Sequence, residues 1–137
     1  MPTSQGFRGL RVYQLAFKLA MEIYQESKKF PPEERYSLTD QIRRSSRSVA
    51  SNIAEAYRKK MYPKMFVSKL SDADGEGAET QVWIDFAQAC SYITESLQLK
   101  WIDGYEEIGR KLGAMIKVRS LIKPDFGRAS SRNFIWI

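Results

Sequence analysis

The chain contains a seam of apolar and small residues whose members recur at alternating steps of four and three positions. In segment 63–90 the seam consists of Phe66, Leu70, Ala73, Gly77, Thr80, Ile84 and Ala87. This seven-residue rhythm is typical of helices that pack lengthwise against other helices. Ala73 and Gly77 lie at its centre, so we expect a neighbouring backbone to come close there. Gly75 and Gly77 each lower helix propensity by about 1 kcal/mol, which leaves a break in the helix open as an alternative.

Three further segments carry apolar stripes at helical spacing. The stripes are Val12, Leu15, Ala16, Leu19 and Ile23; then Leu38, Ile42, Val49, Ile53 and Tyr57; and finally Leu97, Trp101, Gly104, Ile108, Leu112, Met115, Arg119 and Ile122. Pro63 is tolerated in a first turn, and Thr94 and either Ser37 or Thr39 are candidate N-caps. We therefore predict helices over 10–29, 39–59, 63–90 and 94–122, with a tail over 124–137.

These patterns predict an all-α fold, an antiparallel up-down-up-down four-helix bundle that forms a single domain over 1–137. The sequence has no apolar run long enough to span a membrane and no signal-peptide pattern at its start. Its single cysteine, Cys90, fits a reducing compartment, and we expect a cytoplasmic protein. Cys90 ends the third stripe, so we expect a core thiol.

The chain lacks histidine, the commonest general base and a common metal ligand, which argues against an enzyme. The serines at 45, 46, 48 and 51 have no base to activate them, so we interpret them as small residues at helix contacts. The cluster Asp72–Gly77 resembles the start of a calcium loop, but Trp83 stands where the bidentate glutamate is required. We expect no cofactor and no metal.

Charge is distributed in blocks. Residues 41–70 carry eight basic and one acidic side chain, whereas residues 71–107 carry one basic and nine acidic. Blocks of opposite sign are expected to lie near each other, within or between subunits, and the basic surplus can meet phosphate groups. The candidate nucleic-acid-binding residues are Arg47, Arg58, Lys59, Lys60 and Lys64. Tyr57 and Tyr62 interleave with them and offer rings for stacking. Salt bridges to the acidic third helix, or a solubilising surface, are the structural alternatives.

A second group of polar residues carries a resemblance to a known family. The motif Gln41-Ile42-x-Arg44, followed by Ser48-Val49-x-x-Asn52-Ile53-Ala54-Glu55, is similar to the signature of the four-helix-bundle proteins encoded in 23S rRNA intervening sequences. The chain is more remotely similar to the accessory variability proteins of diversity-generating retroelements. It departs from the family at Ala56, where glycine is usual, and at Gly75-Glu76-Gly77, where Gly-Ser-Leu is usual. Ala56 suggests that the second helix continues further before it turns.

The resemblance implies a closed homo-oligomeric ring, typically a pentamer, that acts as a nucleic-acid or ribonucleoprotein accessory. It also implies that Gln41, Arg44, Ser48, Asn52 and Glu55 are structural or interface residues. We expect Arg44 to pair with Glu55 or with an acidic residue of the third helix across an interface. The leading hypothesis is a non-enzymatic oligomer that binds RNA or DNA through its basic surface. The alternative is a scaffold that recruits a partner enzyme such as a polymerase or reverse transcriptase.

Overall fold

The computed structural model describes residues 2–121, with side chains from 5 to 119. Four helices, α1 (Arg11–Ser27), α2 (Leu38–Arg58), α3 (Pro63–Ala89) and α4 (Glu95–Leu121), form an antiparallel up-down-up-down bundle, and no strand occurs in this part of the chain. Short 3-10 segments over Pro2–Gly9 and Pro32–Glu34 precede α1 and α2. The α2–α3 pair has the most extensive contact, and α1 and α4 close the bundle.

The buried faces are those that the periodicity predicts. The buried residues of α3 are the seven members of its seam. Four members of the α2 stripe are buried and Tyr57 is half-buried. In α4 the stripe is buried from Trp101 to Arg119, apart from Gly104, and it widens to include Tyr105. Ile122 and the predicted tail over 124–137 lie outside the described residues.

Two glycines of the bundle have different surroundings. The α3 helix continues through Gly75 and Gly77 without a break. A Cβ atom at Gly77 would meet the Cδ1 atom of Tyr105 at 3.8 Å, an ordinary contact with a ring rather than with a backbone. A Cβ atom at Gly104 would lie only 2.7 Å from Leu19 Cδ1. The close approach between helices therefore occurs at α1 and α4, where the sequence did not single it out.

The two connections at one end of the bundle are joined by Glu34. Its carboxylate accepts hydrogen bonds from the Ser37 hydroxyl at 2.6 Å and from the Tyr92 hydroxyl at 2.9 Å. The Ser37 and Tyr92 hydrogen bonds lower the pKa of Glu34, and the Glu34 carboxylate raises the pKa of Tyr92 to about 12. Ser37 is the N-cap residue of α2, but its own side chain makes no capping bond. Thr94 does cap α4, because the Leu97 amide donates to its hydroxyl at 3.1 Å.

The prediction for Cys90 was wrong. The seam of α3 ends at Ala87, and Cys90 is the exposed C-cap residue of that helix. Ser91 then takes a positive φ of 64°, and the Tyr92 amide donates to the Ala87 carbonyl to close the turn. The thiol therefore lies one turn beyond the last core position. Among the described helices, none has the length and apolar composition that a bilayer crossing requires.

Candidate nucleic-acid interface

The antiparallel arrangement gathers basic side chains at the end of the bundle where α2 joins α3. There α1 and α3 begin and α2 and α4 end. We call this surface the basic end, and it comprises Arg8, Arg11, Arg58, Lys59, Lys60, Lys64, Lys117 and Arg119. The described parts of the three segments that build it, 5–21, 56–71 and 108–119, contain no aspartate or glutamate. Its positive charge is therefore not neutralised from within these segments.

Aromatic rings order part of the basic end. The Arg58 guanidinium lies 5.8 Å from the centroid of the Phe7 ring, and Arg8 lies 4.6 Å from the same ring. The Lys60 ammonium lies 3.8 Å from the centroid of Tyr57. Such cation–π contacts hold the charged groups without neutralising them. Lys59 is the C-cap residue of α2 and is half-buried.

A cleft of about 510 Å³ opens at the same end between α3 and α4. Lys64 and Ser68 line it from α3, and the nearly buried Arg119 lines it from α4. Ser71 and Asp72 lie deeper along the same wall of α3. The cleft places a lysine and an arginine from two different helices around one concave surface.

Four cations outside the basic end are held in ion pairs. Lys29, Lys69, Lys100 and Lys111 each pair with a glutamate within 4.0 Å. Among residues 5–119, no carboxylate pairs with any of the four sequence-predicted members of the basic end. These four are Arg58, Lys59, Lys60 and Lys64. Uncompensated cations are the groups that a polyanion neutralises at the lowest desolvation cost.

Arg47, the fifth predicted binding residue, does not join the basic end. It precedes Arg58 by about three helical turns, roughly 16 Å along α2. Its exposed guanidinium lies 5.5 Å from the centroid of the Tyr24 ring, and the Arg43 guanidinium lies 4.9 Å from the same centroid. The Arg43 side chain in addition donates to the Ser27 hydroxyl at 2.7 Å. The structure thus brings four of the five predicted residues together and leaves Arg47 in a separate cluster.

Arg44, by contrast, faces α3. Its guanidinium donates to both carboxylate oxygens of Glu76, at 3.2 and 3.4 Å, and to Glu79. Gln41 accepts from the Arg44 Nε atom at 3.5 Å. The Trp83 indole bonds to Glu79 at 3.1 Å, and the Trp83 and Arg44 bonds together lower the pKa of Glu79. Arg44 therefore pairs with the acidic third helix of its own chain and not with Glu55.

The remaining signature residues have more local contacts. Glu55 forms an ion pair with Lys69 of α3 at 3.1 Å. The Asn52 side chain donates to the Ser48 carbonyl at 2.9 Å within α2. Both Ser48 and Asn52 are half-buried. Within this chain, Arg44 and Glu55 thus tie α2 to α3, whereas Ser48 and Asn52 brace α2 itself.

Sequence reasoning missed a buried hydroxyl pair between α2 and α3. The Thr80 hydroxyl lies 2.9 Å from the Ser45 hydroxyl and also donates to the Glu76 carbonyl at 2.8 Å. Both side chains are fully buried. The presence of a threonine on an otherwise apolar seam is the signal that indicates such a polar contact. Over residues 5–119, no group of three or more potential metal-ligating side chains occurs.

The fold and its polar network define a four-helix bundle with one strongly basic end. The chain belongs to the family of 23S rRNA-intervening sequence proteins, whose sequence profile matches residues 8–114. It is also similar to a crystal structure of a protein of unknown function from the S23 ribosomal protein family of Bacteroides thetaiotaomicron. The two share 28% identity with a TM-score of 0.70, over 77% of this chain and 95% of that one. No curated protein matches the chain.

Proposed function

We propose that the protein is a non-enzymatic nucleic-acid-binding bundle that contacts phosphate backbones through the basic end. The observation that carries this proposal is the clustering of Arg58, Lys59, Lys60 and Lys64 at the basic end, where no described carboxylate pairs with any of the four. Arg58, Lys59, Lys60 and Lys64 supply its exposed or half-buried part. Binding of this kind is electrostatic and depends little on sequence.

Salt dependence provides the test, because each phosphate contact on a duplex contributes about 0.9 to the slope of log K against log salt. Replacement of Arg58, Lys59, Lys60 and Lys64 by glutamine is expected to reduce that slope by about 3 to 4. The matched control replaces four cations elsewhere, Lys29, Arg35, Lys100 and Arg110, by glutamine. It changes the net charge equally and is expected to reduce the slope by less than about 1.

Fluorescence anisotropy with a labelled duplex and a labelled structured RNA measures both slopes. Equal losses in the two variants would show that only net charge matters and would contradict a site at the basic end. Absence of binding by the unaltered protein at low salt would refute nucleic-acid binding altogether.

The proposal extends to a homo-oligomeric ring, with the pentamer that the family resemblance implies. An apolar groove of about 230 Å³ between α2 and α3 supports an interface, because Trp83 and Phe86 line it beside Gln41. Phe86 is 54% exposed and Val82 is 47% exposed. A ring would present several basic ends and raise avidity without new contacts.

The same apolar surface favours the alternative, a scaffold that recruits a partner enzyme such as a polymerase or reverse transcriptase. Light scattering on the unaltered protein and on Phe86→Lys separates the two. Conversion of an oligomer to a monomer by Phe86→Lys would support the ring, whereas a monomeric unaltered protein would contradict it and favour a partner. The exposed thiol of Cys90 is consistent with a cytoplasmic location, which we include in the proposal.

A further inference from the structure

We propose that the nucleic acid bound at the basic end is single-stranded and continues along the α1–α2 face, with an unpaired base stacked on Phe17. This inference rests on the proposed function and names its substrate class. It starts from a row of aromatic rings, which we call the aromatic ridge: Phe7, Tyr13, Phe17 and Tyr24.

The ridge follows from the register of α1. Tyr13, Phe17 and Tyr24 are separated by four and seven residues, steps that return to nearly the same side of a helix. Phe7 and Tyr13 meet edge to face with centroids 5.1 Å apart, and Tyr13 and Phe17 lie 6.0 Å apart. Together the rings lie along most of the length of α1 on the side that meets α2.

Phe17 is the exposed member of the ridge. Its side chain is 52% exposed, whereas Phe7, Tyr13 and Tyr24 are half-buried. By register Phe17 lies level with Ser51 and the half-buried Ala54 of the antiparallel α2, whose small side chains leave the ring uncovered on that side. A phenyl ring in solvent has an unsatisfied apolar face that a flat, apolar-faced partner can cover.

Cations lie at both ends of the ridge. Lys28, Arg43 and Arg47 surround the Tyr24 ring at 4.9, 4.9 and 5.5 Å from its centroid. Arg58 and Arg8 lie on Phe7 at the other end. The two clusters are roughly 16 Å apart along α2, so a strand that contacts both must pass Phe17.

Acidic groups lie mostly away from this path. Glu22 and Glu26 project from the opposite side of α1 by register. Glu22 bonds to Trp101 and pairs with Lys100 on the α4 side. Asp40, in the first turn of α2, is the acidic residue on this face, and it lies beyond the Tyr24 cluster at the far end.

This arrangement, a cationic track with an aromatic platform between its ends, is the chemistry that binds unpaired strands. Base–aromatic stacking contributes about 1–3 kcal/mol per base, and it requires a base face that a duplex keeps inside its own stack. The cations can therefore contact the phosphates of a duplex or of a single strand, but only the unpaired bases of a single strand can stack on Phe17.

The test compares Phe17→Ala with Leu99→Ala, an equally exposed apolar residue of α4 that lies in neither the basic end nor the apolar groove of α2 and α3. The probes are labelled oligothymidylate of about 20 nucleotides, which covers at least one site of this kind, and a duplex of the same length. Phe17→Ala is expected to weaken single-strand binding about 5- to 100-fold and to change duplex binding by less than about 2-fold. Phe17→Tyr keeps a ring and is expected to retain the affinity, as is Leu99→Ala.

Unchanged single-strand affinity in Phe17→Ala, or equal weakening for both probes, would overturn this inference and leave binding at the basic end intact. Failure of the unaltered protein to bind either probe would overturn the proposed function as well. Light scattering on Phe17→Ala checks the assembly, and loss of the oligomer together with loss of binding would assign Phe17 to a subunit contact and overturn the stacking role.

Discussion

Replacement of Arg44 by glutamine tests whether this arginine stabilises the fold, in contrast to its neighbour Arg47. Arg44 donates three hydrogen bonds to Glu76 and Glu79, and its side chain is 45% exposed. Exposed ion pairs contribute about 0.2–1 kcal/mol each after solvent screening. Removal of the guanidinium also leaves two carboxylates one turn apart, which costs a further 0.2–0.5 kcal/mol or so. We therefore expect Arg44→Gln to reduce the free energy of unfolding by about 1–2 kcal/mol.

The assay is urea unfolding followed by circular dichroism, repeated at several protein concentrations so that any contribution of self-association to the measured stability is detected. Arg47→Gln is the matched control, because it removes an equal charge one turn away and should cost less than about 0.5 kcal/mol. A double-mutant cycle with Glu79→Gln should return a coupling of about 0.5–1 kcal/mol at low salt, and less at high salt. Equal losses of stability in Arg44→Gln and Arg47→Gln, or zero coupling between Arg44 and Glu79, would refute the claim that Arg44 stabilises the fold and Arg47 does not.

The same network predicts a pH dependence with a definite sign. The pKa of Glu79 in the folded protein lies below its ordinary value of 4.5 because Trp83 and Arg44 bond to the carboxylate. The stabilisation is therefore complete above that ordinary value and is lost as the pH falls through the lower folded pKa. Arg44→Gln removes one of the two causes, so its stability should fall less steeply in acid than that of the unaltered protein.

Three further predictions concern stability. Gly75→Ala should stabilise the protein by about 0.5–1 kcal/mol, since the site is exposed and helical. Gly104→Ala should destabilise it by about 1–3 kcal/mol, because its Cβ would collide with the buried Leu19. Equal shifts of the melting temperature in the two variants would contradict this prediction. Tyr105→Phe should leave the melting temperature unchanged or higher, since the Tyr105 hydroxyl is buried and no described group bonds to it; a clear loss of stability would reveal a partner. Glu34→Gln should make the free energy of unfolding depend less steeply on pH in acid, because the stabilisation by the Glu34 carboxylate is lost as the pH falls through its lowered folded pKa. An unchanged pH dependence would show that the two interhelical connections do not depend on that charge.

The buried seams were predictable because burial along a helix is a periodic property. The α3 seam, including Thr80 and Gly77, is recovered residue for residue from spacing alone. The starts of α3 and α4 follow from local signals, since Pro63 in a first turn and the Thr94 cap need no tertiary partner. The burial of Cys90 was predicted wrongly because this residue lies one turn beyond the last core position, and its exposure depends on where the helix ends.

The contacts of individual polar residues were less predictable, because each depends on which residue of another helix lies level with it. Periodicity placed Arg44 within reach of either Glu55 or α3, and only the packing of α2 on α3 selects Glu76 and Glu79. Likewise, Tyr57 lies beside Lys60 as expected, but the ring nearest Arg58 is Phe7 of the N-terminal segment, which the spacing did not indicate. Contacts between residues distant in sequence require the topology first.

The basic end shows how topology converts a pattern of charge along a chain into a pattern in space. Arg58 and Lys64 flank the connection between α2 and α3, so an antiparallel turn necessarily keeps them at one end. Up-down-up-down order then adds the beginning of α1 and the end of α4, and both of these segments lack acidic residues. The acidic block falls in the middle of α3 and the first half of α4, where Glu76 and Glu79 neutralise Arg44, and its member nearest the basic end is Asp72 on the wall of the cleft between α3 and α4. The net charge of +6 is therefore concentrated rather than spread. A polyanion would meet it at one end of the bundle and along the α1–α2 face that leads away from it.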